Sequence, residues 1–184
     1  SIVRTKMVDS RNAAQITFEN VSVSADQVVG TVGLGADVLD NVFDRAAAVL
    51  ASELVGISNE VFERTLSYLK TREQFGSLIG TFQGLKHRAA DMFCEIELSK
   101  SIALGALRAI DDADPDATRV VSAAKARTSD TSGLVTREGV QMHGGIGMTD
   151  EEELGLFLKR SKAAELSFGD ASYHRDRFAT LTGF

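Results

Sequence analysis

Two clusters of residues in this chain are of a type that could hold an anion. The first is Gln141-Met142-His143-Gly144-Gly145-Ile146-Gly147. Its three glycines lack Cβ atoms, so they permit positive φ and let consecutive backbone N–H groups converge on one point. The next helix is expected to open at Thr149, with three glutamates behind it. Such a turn can cradle a phosphate, although a glycine-rich connection between helices is more often only a turn. The second cluster is Arg72-Glu73-Gln74-Phe75-Gly76, followed by Phe82-Gln83 at the start of another helical run. Arginine offers a planar, permanently charged fork suited to phosphate oxygens. Taken singly, each residue has a plainer reading: a surface ion pair of Arg72 with Glu73 or Glu63, edge packing for Phe75, an exposed polar side chain for Gln83, and a packed or solvated imidazole for His143. A Gly-x-Gly piece within Gly30-Thr31-Val32-Gly33-Leu34-Gly35 is not a dinucleotide fingerprint. That motif needs a βαβ unit with an acidic residue on the second strand, and the chain reads as all helix from here on.

The elements that must carry these clusters follow from periodicity. Residues 13–29 interleave Ile16, Phe18, Val21 and Val23 with Thr17, Glu19, Asn20 and Ser22, which predicts one or two short strands. Gly30, Gly33 and Gly35 then mark a boundary, with 1–34 read as the end of a β domain plus linker and 35–184 as a helical domain. From Leu39, the positions Phe43, Ala46, Leu50, Leu54, Ile57, Val61, Thr65 and Tyr68 recur at steps of three and four, one face of a helix running to about Lys70. A second run from about Leu78 to Ile110 shows the same pattern through Phe82, Leu85, Ala89, Phe93, Ile96, Ala103 and Leu107. Pro115, the one proline, is placed to open a third helix reaching about Val140, in which Ala117, Ser122, Ala123, Ala124 and Ala126 let neighbouring backbones sit close. Two last helices are expected at about 150–167 and 170–181, separated by Gly169. The fold class is mainly α, an antiparallel four-helix bundle preceded by one or two short strands.

Composition narrows the function. A chain of 184 residues, 43% of them hydrophobic, buries a real core. A net charge of −6, with 20 Lys and Arg scattered among acids, argues against a nucleic-acid surface. Lys159, Arg160 and Lys162 form a short basic run that reads as a solvated face. No apolar run approaches the roughly 20 residues that span a bilayer, and Ser1-Ile2-Val3-Arg4-Thr5-Lys6 lacks the apolar core of a secretory leader. Cys94, the single cysteine, reads as a small buried hydrophobe. The expectation is a cytoplasmic protein without metal, and an opening Ser1 fits a processed product or a fragment.

Tyr68-Leu69 with Arg72, Phe75 and Gly76, then Gln83, then Ala90-Asp91-Met92, then the Gln141 to Gly147 turn, resemble in order and spacing the C-terminal helical domain of an acyl-CoA dehydrogenase. The resemblance covers about Ser1 to Leu181 and only the last part of a full-length family member. It implies a flavin enzyme that takes a proton from the α-carbon of an acyl-CoA thioester and passes the β-hydride to FAD. By position, it implies that Arg72 pairs with the FAD pyrophosphate, that Phe75 and Phe82 pack near the flavin, and that Gln83 hydrogen-bonds the cofactor. Gln141, Met142, His143, Gly144 and Gly145 would meet the adenosine diphosphate portion of an FAD held mainly by another subunit. Asp170 and Ser172 fall at further cofactor-contacting positions, and Asp44, Arg45, Ala46, Ala47, Phe168 and Gly169 at the acyl-CoA site. A homo- or hetero-oligomeric dimer of dimers and an electron-accepting flavoprotein are the implied partners.

The chain departs from that pattern at the general base. The glutamate expected between the last two helices is replaced by Phe168, and the alternative placement on the first long helix by Ala46. Neither side chain accepts a proton, and proton abstraction needs a base within about 3 Å or one bridging water. Asp170 and Asp44 are the nearest carboxylates, with helix capping the simpler duty for Asp170. His174, Arg175 and Arg177 are additional charges, placed to pair with Asp170 or Asp176 or to face an acidic partner. This variant ending resembles a bacterial branch that includes subunits of heteromeric enzymes, in which one subunit lacks the base and its partner keeps it.

Overall fold

The apolar stripes become five helices: α1 at Gly35–Thr71, α2 at Gln83–Asp111, α3 at Ala117–His143, α4 at Leu154–Leu166 and α5 at Ala171–Thr182. The computed structural model describes all residues, Ser1–Phe184. Side-chain pairs fix their directions. Tyr68 of α1 stacks on His143 of α3, while Asp44 near the other end of α1 meets Thr118, so α1 and α3 run parallel. Arg88 pairs with Glu138 and Ser99 with Thr131, which sets α2 antiparallel to α3; Ser132 with Ser161 and Lys125 with Glu165 do the same for α4. Helices α1 to α4 therefore form the expected antiparallel bundle, and the short α5 packs alongside α3, with Arg175 paired to Asp130 and Phe178 under Arg119. Helix α3 touches all the others.

One stripe drifts from its expected position. In α2 the inward residues are Met92, Ile96, Ser99, Ala103 and Ala106, whereas Phe93 is 52% exposed. A helix turns about 100° per residue, so Met92 shares the inward line of Ile96 and Ser99 and Phe93 does not. On α3 the small residues do what their size allows. Ala47, Ala48, Ala51, Ala103, Ala106, Val121 and Ala124 interlock as one buried cluster between α1, α2 and α3. A larger cluster, with Ile57, Val61, Phe62, Met92, Ile96 and Val135, fills the other half. Each large aliphatic side chain fully buried there contributes about 1.5–3 kcal/mol.

The N-terminal strands sit earlier than the alternation suggests. β1 spans Ile2–Lys6 and pairs antiparallel with β2 at Asn12–Ile16, Ile2 opposite Ile16. Phe18, Val21 and Val23 lie outside the strands and are exposed, for alternation alone supplies no partner to hydrogen-bond. The hairpin is tied to the helices by Asp9, whose buried carboxylate accepts from Arg160 Nη1 at 2.8 Å, while Arg160 Nε donates to Glu53 Oε1 at 2.5 Å. Arg160 thus belongs to a partly buried ion-pair lock and not to a solvated basic face. Its guanidinium holds the Asp9 and Glu53 carboxyls below the usual carboxylate range. Pro115 lies in the turn before α3 and not in its first turn, where Asp114 Oδ1 accepts from the Asp116 N–H. Cys94 is exposed. No helix is long and apolar enough to cross a membrane, and no group of His, Cys, Asp and Glu is placed to hold a metal ion.

Helices α1 and α3 are in close contact at Gly139, where an added Cβ would fall 2.5 Å from Val61 Cγ1 and 3.3 Å from Thr65 Oγ1. Val61 is fully buried and has no free side to move to. Gly139→Ala is therefore expected to destabilise the domain by about 1–3 kcal/mol in urea unfolding, against the gain that Gly→Ala normally brings inside a helix.

Candidate functional site

Antiparallel packing brings the C-terminus of α1, the N-terminus of α2 and the C-terminus of α3 to one end of the bundle. Between α1 and α2 the chain makes a two-residue-strand hairpin, β3 at Glu73–Gln74 and β4 at Ser77–Leu78, an element the sequence pattern did not signal. Its turn residues, Phe75 and Gly76, both have positive φ, 54° and 76°. A bulky residue in that conformation is strained by about 1–3 kcal/mol, and Phe75 is also 91% exposed, touching Phe82 edge-on at 6.1 Å. Arg72 follows α1 directly, donates its N–H to Tyr68 O, and leaves its guanidinium exposed with no carboxylate partner. Neither Glu73 nor Glu63 pairs with it. Gln83, exposed, opens α2.

The glycine cluster closes α3 instead of forming an open loop. Gly144 ends the helix at φ 64° and ψ −138°, a conformation that excludes a Cβ, and Gly144–Met148 is a short 3-10 helix. Helix α4 begins five residues later than expected, leaving the three glutamates in a turn before Leu154. Gln141, Gly144 and Gly145 are exposed, with nothing near the positions that Cβ atoms on the two glycines would occupy. Met142 instead packs in the core, 5% exposed, so it offers no ligand surface. His143 is buried as well: its ring stacks on Tyr68 at 4.3 Å, and Nδ1 lies 2.7 Å from Gly139 O. A carbonyl only accepts, so Nδ1 carries the proton. The stack ties the two clusters together, and a cavity of about 260 Å³ beside it is lined by Arg64, Ser67, Tyr68, Thr71, His143 and Glu152, with Arg72 and Gly144 the next residues in the chain.

The second group of expected residues lies elsewhere. Asp44, Phe168 and Gly169 converge on a cavity of about 270 Å³ with Asp40, Phe43, Tyr173, His174 and Arg177. Phe43 and Phe168 rings are 5.7 Å apart. Arg45 is exposed beside this region, and Ala46 is half-buried. Ala47 is 1% exposed inside the alanine cluster, which removes it from any substrate surface. Both Asp44 oxygens are engaged, Oδ1 by Arg177 and Oδ2 by the Thr118 hydroxyl at 2.8 Å. Asp170 caps α5, its Oδ1 accepting the Tyr173 N–H at 2.8 Å, and Ser172 is exposed on that helix's first turn. Arg175 and Arg177 thus pair with Asp130 and Asp44 across helices, not with Asp170 or Asp176 on their own.

Beneath the turn that carries Phe168 sits Lys125, fully buried. Its ammonium donates to Glu165 O at 2.8 Å, Gly169 O at 2.9 Å and Ser129 Oγ at 3.3 Å. Burial pushes its pKa down to about 8, against the pull of Glu165 and Asp170. His174, also buried, has Nε2 at 3.0 Å from Phe168 O and an Nδ1 with no partner. Burial pushes the imidazole below its usual value, so it is neutral with the proton on Nε2. Lys125 was missed in the sequence, although it stands among Val121, Ser122, Ser129 and Ser132 at helical spacing on a small-residue face. A long cation on such a stripe is the signal that could have found it.

The family model for the acyl-CoA dehydrogenase C-terminal domain matches residues 33–180. The chain belongs to the acyl-CoA dehydrogenase family. It is 27% identical over 172 residues to the mitochondrial short/branched chain specific acyl-CoA dehydrogenase of Rattus norvegicus, covering 94% of this chain and 40% of that one. It is 36% identical over 141 residues to the acyl-CoA dehydrogenase IpdE2 of Mycolicibacterium smegmatis, covering 76% of this chain and 42% of that one. Among solved structures, PigA with FAD and proline superposes with a TM-score of 0.92 at 24% identity, over 99% of this chain and 47% of that one. The chain thus spans less than half the length of these relatives. Within the family fold, the two site regions lie at separate ends of α1. From Asp44 to Arg72 the helix climbs roughly 40 Å at about 1.5 Å per residue.

The depressed Lys125 pKa makes a signed prediction. Below pH 8 the lysine is protonated in both folded and unfolded chains, and its burial penalty is present in full. Between about 8 and 10.5 the unfolded chain keeps the proton that the folded one has lost, so stability rises with pH. Relative to Lys125→Met, the parent protein should gain up to about 3 kcal/mol from pH 7 to pH 10.5 in urea denaturation. A constant difference across that range would refute the shift.

Proposed function

We propose that the chain is the C-terminal portion of an FAD-dependent acyl-CoA dehydrogenase, contributing cofactor and subunit contacts to α,β-dehydrogenation of an acyl-CoA thioester. The observation that carries this reading is the Tyr68–His143 stack, which brings Arg72 and Gly144 to the same end of the bundle. The residues there suit a dinucleotide. Arg72 is a charged fork with no internal partner, Gly144 and Gly145 expose bare backbone, and Phe75 offers an apolar ring that nothing in the chain covers. Arg72 would hold the pyrophosphate, Gln141, Gly144 and Gly145 the adenosine diphosphate portion, and Phe75, Phe82 and Gln83 the neighbouring part. Met142 and His143 support that surface from within. FAD, when bound, supplies the hydride acceptor.

Asp170 and Ser172 belong to the other end, beyond the reach of a dinucleotide held at Arg72. Their use therefore requires a second FAD copy, and one protomer then serves two cofactors in an oligomer. That supports a dimer of dimers, homomeric or heteromeric, with an electron-accepting flavoprotein as redox partner and the cytoplasm as a compartment suited to a free, exposed Cys94. The 270 Å³ cavity would take part of the acyl-CoA, with Phe43 and Phe168 as its apolar wall and Asp44, Arg45, Ala46 and Gly169 around it.

A second reading, a non-catalytic assembly subunit whose partner supplies the base, is favoured by a specific observation. Phe168 and Ala46 stand at the base positions, both Asp44 oxygens are engaged, and Asp170 is a helix cap. Asp40 is the remaining carboxylate on the cavity, exposed and without a hydrogen bond.

Flavin absorbance of the full-length protein tests the first reading. Arg72→Ala is expected to weaken FAD binding by about 10–100-fold, since a charge-assisted hydrogen bond contributes about 1.5–3 kcal/mol. Arg108→Ala, an exposed arginine far along α2, should leave it unchanged; colourless protein, or equal losses in both variants, would sink the assignment. Turnover in the complete assembly separates the two readings. With a partner's base, Asp40→Asn lowers kcat by less than about tenfold, whereas a fall of about 10²–10⁴ would make Asp40 the base.

A further inference from the structure

The turn between α4 and α5 holds Phe168 in a backbone conformation that a bulky residue disfavours. Phe168 has φ 56° and Gly169 φ 100°. A Cβ on Gly169 would meet Tyr173 Cδ1 at 2.3 Å and His174 Nε2 at 3.0 Å. A bulky residue remains in the left-handed region only where its surroundings over-determine it. Here the surroundings are two buried donors. Lys125 reaches up from α3 to Glu165 O and Gly169 O, one on either side of Phe168, and His174 reaches back from α5 to Phe168 O itself. Glu165 O is a last-turn carbonyl of α4, so the lysine also neutralises the negative end of that helix from inside.

Neither donor has another assignment. Lys125 pairs with no carboxylate, and the His174 ring lies wholly inside, with Nδ1 free of any hydrogen bond. Replacing either removes a donor from a partly buried carbonyl of the turn or of the last turn of α4. The Phe168 ring is the exposed product of this arrangement: it stands against Phe43 at the wall of the cavity, where a shift of its backbone moves the wall.

We infer that Lys125 and His174 are positioning residues that fix the Phe168–Gly169 backbone and so set the size of acyl group the cavity accepts. The size-setting half rests on the reading of that cavity as an acyl-CoA site; the backbone clamp does not. Whatever side chain occupies position 168 is aimed by the same two donors, so the clamp acts on the backbone and is indifferent to the aromatic ring.

The test uses the full-length protein in its native assembly with three variants: Lys125→Met, His174→Leu and His174→Gln, the last keeping a donor for Phe168 O. Amide hydrogen exchange at residues 167–170 should quicken by about tenfold or more in Lys125→Met and His174→Leu, with α1 and α3 core amides unchanged and His174→Gln close to the parent. Binding of a short and a long straight-chain acyl-CoA, measured by calorimetry, should show the ratio of affinities altered at least threefold in His174→Leu and restored in His174→Gln. Unchanged exchange at 167–170 in both disruptive variants overturns the clamp, as does uniform loosening of all α3, which would mark a purely structural role. If Lys125→Met does not fold, the two His174 variants decide. If the parent protein binds no acyl-CoA, the cavity reading and the size-setting half fail together, and exchange alone still decides the clamp.

Discussion

Everything in this fold has to fit around one narrow helix. Helix α3 is touched by four others, and a helix can have four neighbours only if its side chains are short on nearly every face. Val121, Ala124, Thr128, Thr131, Ser132, Val135, Thr136 and Gly139 supply that narrowness, and all of them are buried. Five of the eight are polar or glycine, unpromising as core. The hydroxyls are nevertheless satisfied within reach: Thr128 donates to Ala124 O at 2.9 Å, Thr136 to Ser132 O at 2.7 Å, and Ser132 meets Ser161 at 2.8 Å. An unsatisfied buried hydroxyl would cost about 1–3 kcal/mol, and a satisfied one behaves as a small filler.

Close backbones leave little apolar bulk to hold the periphery, and charge takes over there. Arg160 ties the N-terminal hairpin to α1 and α4 through Asp9 and Glu53, and Arg177 ties α5 to α1 through Asp44. These pairs are partly buried, so they are screened less than surface bridges and their geometry is more persistent. The same economy explains Lys125. A long side chain can cross the gap beneath the α4–α5 turn, where a bulky apolar residue would leave two carbonyls without donors.

The bundle consequently presents two unlike ends. One is a hairpin tip with a free arginine, an exposed phenylalanine and bare glycine backbone; the other is a small aromatic cavity under a strained turn. Exposed apolar residues are concentrated along the linker and the start of α1, with Val29 80% and Val32 83% exposed. Surface of that kind is what a further domain or subunit covers, in keeping with a chain that spans about 40% of its relatives.

The number and order of the helices and the small-residue face of α3 were legible in the sequence, because local periodicity and side-chain size are properties of neighbouring residues. So were the positive φ of Gly144 and the capping duty of Asp170. The sequence could not say that Met92 and not Phe93 turns inward, that Arg160 pairs with Asp9 and Glu53, or that strands form at 2–6 and 12–16, since each depends on a partner far along the chain. Only the packed molecule joined Tyr68 to His143 and set Lys125 and His174 under Phe168. Which carbonyl a buried donor meets is decided by the approach of separate helices, and no local pattern encodes that distance.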